Sequence, residues 1–129
     1  MKQHILFLLI FLTPSVHFAQ KNTNLASVEV LSAVTQNVLG YNAGYYVEFK
    51  NNSAKDVDGL RWKADFYDNF GAKKGIRDGQ WQSGNFISPI AVGDTTKDLE
   101  SVWVEGATKV IIRLVEVHWT DGTSKKVKG

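Results

Sequence analysis

Cysteine is absent from the 129 residues. That excludes disulfides, cysteine-ligated zinc, iron–sulfur clusters, thiol nucleophiles and cysteine-linked lipids. Charge of one sign is lacking too, since 15 Lys and Arg stand against 13 Asp and Glu. Nucleic-acid binding needs basic residues gathered on one face. The single basic cluster, Lys125-Lys126-Val127-Lys128, lies in the C-terminal tail. No nucleic-acid partner is expected. No apolar run approaches the roughly 20 residues that cross a bilayer, so the mature chain is expected to have no membrane span. The charged fraction of 22% is ordinary for a globular chain, and the length suits one domain.

The N-terminus carries a different signal. Lys2 precedes the apolar run Ile5 to Leu12, then Pro14, and then Ala19-Gln20. A basic start, a short apolar stretch and a small-to-polar junction make a secretory signal peptide, with cleavage expected after Ala19. The expected organisation is a signal peptide over residues 1–19 and one domain over residues 20–129. Cleavage removes Lys2, so the mature charges all but balance. An exported chain without Cys reads as a bacterial envelope protein, periplasmic or secreted, that needs no oxidative folding.

Helical periodicity is also missing beyond residue 20. Turn signals recur at short intervals instead, among them Asn51-Asn52-Ser53, Asp58-Gly59, Asp68-Asn69-Phe70-Gly71, Gly93-Asp94 and Asp121-Gly122. Short runs between such signals predict an all-β chain. In Leu60 to Tyr67, Leu60, Trp62, Ala64 and Phe66 share one parity, and Arg61, Lys63, Asp65 and Tyr67 the other. Such alternation belongs to a strand with one dry face. Tyr45, Val47 and Phe49 are expected on another core face, and Val28, Val30, Ser32 and Val34 share a parity in a looser strand. From Lys109 to Trp119 the apolar parity switches after Leu114, which predicts a β-bulge near Val115-Glu116. A hairpin at Asp121-Gly122 then leads into a short, lysine-bearing edge strand. Residues 70–92 predict one or two short strands, and Asp98 to Glu105 another. About seven antiparallel strands in one exported domain point to an immunoglobulin-like β-sandwich.

The run Trp62 to Gly71 resembles the FxLYD family and related small bacterial immunoglobulin-like domains, although Phe66 stands where that motif has Leu. The entry Val47 to Ser53 and the exit Val117 to Thr123 are similar to theirs. The resemblance covers roughly residues 45–124. It implies an exported β-sandwich and brings no catalytic residues.

Few residues carry a chemical signal. His118 is the one His beyond residue 20, with Glu116 and Asp121 close in sequence. A lone His–acid pair is too little for a hydrolase, and no catalytic residue is assigned. Asp56, Asp58, Asp65 and Asp68 lack calcium-loop spacing, so no metal site and no cofactor are assigned. Asp68 is expected to accept backbone N–H bonds across its own turn. Exposed aromatics can stack on sugars or anchor partners. Trp81, set among Gly79, Gln80, Gln82, Ser83 and Gly84, reads as a loop aromatic, and with Tyr41 and Tyr46 it is a candidate ligand-binding residue. Asp94-Thr95-Thr96 resembles a bacterial O-glycosylation acceptor, with Thr95 modified. The expected function is a non-catalytic module that binds a protein or glycan partner through loops at one end. A carbohydrate-binding module using loop aromatics is the alternative, and a small hydrolase a second.

Overall fold

The computed structural model describes residues 21–38, 41–102 and 104–128, without the side chains of 37, 38 and 41–43. The expected signal peptide, the Tyr41 side chain and Trp103 lie outside the described residues. Seven strands follow in order: β1 (Val28–Val38), β2 (Tyr41–Asn51), β3 (Val57–Tyr67), β4 (Lys73–Gln82), β5 (Thr95–Glu100), β6 (Lys109–Trp119) and β7 (Ser124–Lys126). They form two antiparallel sheets, ordered β1-β2-β5 and β4-β3-β6-β7. No helix occurs among the described residues. The constant-type immunoglobulin arrangement would place the fourth strand beside the fifth, in the sheet of the first two strands. Here β4 pairs with β3 instead.

Period-two burial makes the sandwich. Leu60, Trp62, Ala64 and Phe66 on β3 face Tyr45, Val47 and Phe49 on β2, and all seven are buried. The Phe49 and Trp62 rings lie 5.0 Å apart, and Tyr45 meets Phe66 edge-on at 5.6 Å. The Trp62 indole N–H donates to Tyr45 Oη at 2.8 Å, so the largest core residue keeps no stranded donor. Burial pushes the Tyr45 phenol up to about 12.

The bulge on β6 lies where the parity switch places it. Leu114 pairs with Trp62 and Glu116 with Arg61, leaving Val115 as the extra residue. Val117 is thereby returned to the core and Trp119 packs against it. A second bulge was not legible. On β1, Val30 pairs with Phe49 and Ser32 with Glu48, so Leu31 is extra. The parity of β1 flips there. Val34, expected on the face of Val28, points outward at 59% exposure, and Ala33 packs inward.

Three other expectations need correction. Residues 70–92 hold one ten-residue strand, β4, rather than one or two short ones. The strand expected over Asp98 to Glu105 is β5, which starts earlier and ends at Glu100. Its outward residues are Thr95, Lys97 and Leu99, while Thr96, Asp98 and Glu100 are partly buried. Asp65, counted on the polar face of β3, is itself buried. Arg113 grips it at both oxygens, at 2.6 and 3.0 Å, with Lys73 at 3.4 Å. That hydrogen-bonded guanidinium holds the Asp65 carboxyl below the usual range.

Before β1, Thr23 pairs in parallel with Arg113 on the larger sheet. The chain then crosses to the smaller sheet through Ala26 and Ser27, whose φ values of 49° and 64° are left-handed. One short segment thus ties both sheets together.

Candidate functional site

The antiparallel register brings three connections to one end of the sandwich: residues 52–56, 83–94 and 120–123. Asn51 organises them and is fully buried. Its amide donates to the Ile90 and Lys55 carbonyls, each at 2.8 Å, and its Oδ1 accepts from the Ser53 amide at 2.9 Å. Ile90 and Val57 exchange backbone bonds at 2.8 and 3.0 Å. Lys55 bonds Asp121 and Thr123 and lies 4.9 Å over the Trp119 ring. The Trp119 indole N–H donates to Ser53 Oγ at 3.0 Å. Asp121 accepts from Thr123 and Lys55, which holds its carboxyl well below the usual range.

The 83–94 connection rises from this braced base. The Ser83 amide donates to the Asp58 carbonyl at 2.9 Å, which pins one root, and Ile90 pins the other. Between them, Gly84 and Ile87 exchange backbone bonds at 2.8 and 3.2 Å and close a two-residue turn. Asn85 and Phe86 form its tip. Phe86 is 100% exposed and Ile87 is 50% exposed. Phe70 is nearly as exposed, at 96%, but it sits at the opposite end of the sandwich in the Asp68 turn. Asp68 behaves there as expected. Its Oδ1 accepts from the Phe70 and Ala72 amides, each at 2.9 Å, and bonds to the Ala72 and Phe70 amides hold its carboxyl below the usual range.

A second feature lies on the outer face of the larger sheet, near the same end. Gly59 pairs with Gln82 on one side and His118 on the other. The missing side chain leaves a depression of about 370 Å³ walled by Arg61, Gln80, Gln82, Glu116 and His118. His118 Nδ1 lies 2.6 Å from Asp58 Oδ1, so its partner is Asp58 rather than Glu116 or Asp121. Arg61 lies 3.5 Å from Glu116. Ser83 lines the same depression. The contact of His118 Nδ1 is to Asp58, not to a hydroxyl.

The expected loop aromatics are dispersed. Trp81 is not in a loop. It lies on β4, pairs with Leu60 of β3 and is 6% exposed, because the period-two parity of β4 turns positions 79 and 81 into the sandwich. Its ring cannot offer a stacking face there. Tyr46 lies on the outer face of the smaller sheet at 44% exposure, in register between Val34 and Leu99. Trp81 and Tyr46 thus belong to different sheets and share no site. Thr95 is exposed as the first residue of β5. The four acids weighed as calcium ligands separate: Asp56 accepts from the Val92 amide, Asp58 meets His118, Asp65 holds Arg113, and Asp68 caps its turn.

Asn51 and the Phe86 tip escaped the sequence reading. Asn51-Asn52-Ser53 carried only a turn signal, and nothing local shows that the first Asn is the buried one. Gly84 and Pro89 bracket the tip and mark a turn, but the bonds that brace it come from residues more than twenty positions away. Comparisons with protein-family models, curated proteins and solved structures find no match.

Proposed function

We propose that the chain is an exported, non-catalytic interaction module, akin to the small bacterial immunoglobulin-like domains it resembles. It holds a partner macromolecule at the sandwich end that bears Phe86 and Ile87. The observation that supports this reading is a wholly exposed Phe on a braced tip. A single exposed apolar residue is ordinary on a folded surface. Phe86 differs because an adjacent Ile accompanies it and because both roots of the connection are hydrogen-bonded to β3. An ordered tip loses little conformational freedom on binding. Covering the ring releases about 1.5–3 kcal/mol, which is the size of an interface anchor.

A photoreactive phenylalanine analogue tests the proposal in cells producing the full chain. It is placed at Phe86 and, as the control, at Phe70. Adducts of higher mass from position 86 alone support the proposal. No adduct from position 86, or equal yields from both positions, contradict it.

A further inference from the structure

We propose that the depression over Gly59 binds a neutral, hydroxyl-rich ligand, a saccharide unit, at a site separate from the Phe86 tip. Gly59 lies at the floor of the depression. Its backbone lies outside the left-handed region, and a Cβ built there meets His118 Cβ at 3.5 Å and the Trp81 carbonyl oxygen at 3.9 Å. Those are ordinary contacts. Neither packing nor conformation demands glycine at this position, and glycine weakens a strand interior. What its missing side chain does is open the gap between Gln82 and His118.

The wall chemistry selects the ligand. Arg61 faces Glu116, and the Asp58 carboxylate is engaged by His118 Nδ1. An anion finds Arg61 already paired, and a cation finds both carboxylates already engaged. Two of the other lining side chains, Gln80 and Gln82, are primary amides, each able to donate and accept. Their present bonds are long. Arg61 Nε donates to Gln80 Oε1 at 3.3 Å, and Gln80 Nε2 donates to Gln82 Oε1 at 3.3 Å. Bonds well beyond the usual 2.9–3.0 Å are weak, and ligand hydroxyls can replace them at little cost. The Asp58 contact occupies His118 Nδ1 and leaves Nε2 on the opposite edge of the ring. Sugar hydroxyls, which donate and accept at once, match this mixture. The volume of about 370 Å³ lies at the small end of ligand pockets, fit for one or two sugar rings.

The test is an NMR titration of the labelled full domain with glucose, galactose, N-acetylglucosamine and their disaccharides. The signals followed are the Gln80 and Gln82 side-chain amides and the His118 ring. Saturable shifts at these groups with at least one probe are expected. Gly59→Ala should keep or raise the urea midpoint and weaken that binding by about tenfold or more, the scale of one misplaced carbon. Should Gly59→Ala fail to fold, Gln80→Ala on the exposed face serves instead, with the same loss expected. No saturable shift with any probe, shifts confined to other faces, or unchanged affinity in the variants overturns the proposal.

Discussion

Asn51 carries more of the loop end than its size suggests. It is a fully buried polar side chain that satisfies two carbonyls from one connection each and accepts from a third position. Asn51→Ala should cost about 2–3 kcal/mol in urea melts, because the Ile90 and Lys55 carbonyls each lose one of two donors and the Ser53 amide loses its acceptor. A cost near zero would mean that water reaches both carbonyls. Gly79 is the complementary case. A Cβ there would fall 2.0 Å from Trp62 Nε1, inside the atom it must avoid. Trp62 can yield only by leaving Tyr45 Oη. Gly79→Ala should destabilise by about 2–3 kcal/mol through overpacking and the lost bond. Two glycines on neighbouring strands thus have different reasons to be glycine. Gly79 is filled by the core, and Gly59 is open to solvent. The sequence shows both as glycine and cannot tell them apart, since the difference depends on which side chain arrives from the paired strand.

At the scale of elements, β3 and β6 were legible because their apolar residues keep period two and the switch at Val115 is visible in the pattern itself. β4 was not. Its four consecutive positions Arg77, Asp78, Gly79 and Gln80 include no apolar side chain, and Gly79 occupies an inward position that Trp62 fills from β3. β5 misleads for another reason. It is an edge strand, and it turns acids inward and Leu99 outward. Inward charge discourages an edge from pairing with another chain. The cost falls on Asp98, whose Oδ2 is buried with no hydrogen-bond partner. Burial, and then Glu100, lift its carboxyl from 3.8 to about 6. The folded chain therefore holds this proton more tightly than the unfolded chain. The resulting stability is fully present below the unfolded value and is lost as pH rises through about 6. Asp65 runs the opposite way, since its lowered carboxyl contributes stability that is lost only as pH falls. Between about pH 5 and about pH 8 the wild type should lose on the order of 1–2 kcal/mol, after solvent screening, that Asp98→Asn retains. Urea melts at both pH values read the difference. Equal pH dependence in the two proteins would contradict the buried, proton-holding Asp98.

At the scale of the molecule, the two sheets, the crossing segment at Ala26-Ser27 and the braced loop end form one hydrogen-bonded frame, and the Phe86 tip is its most solvent-exposed apolar point among the described residues. The sandwich class was legible because strand periodicity and turn chemistry are local. The candidate site was not, because it is assembled from bonds between β2, β3 and the 83–94 connection. An exposed Phe on an ordered tip calls for a partner, whereas a floppy loop would expose the ring without any. Backbone ¹⁵N relaxation of residues 84–88 and 90 measures this directly. Order parameters of about 0.85, matching the strands, are predicted, whereas values below about 0.6 would contradict a tip held out by the fold.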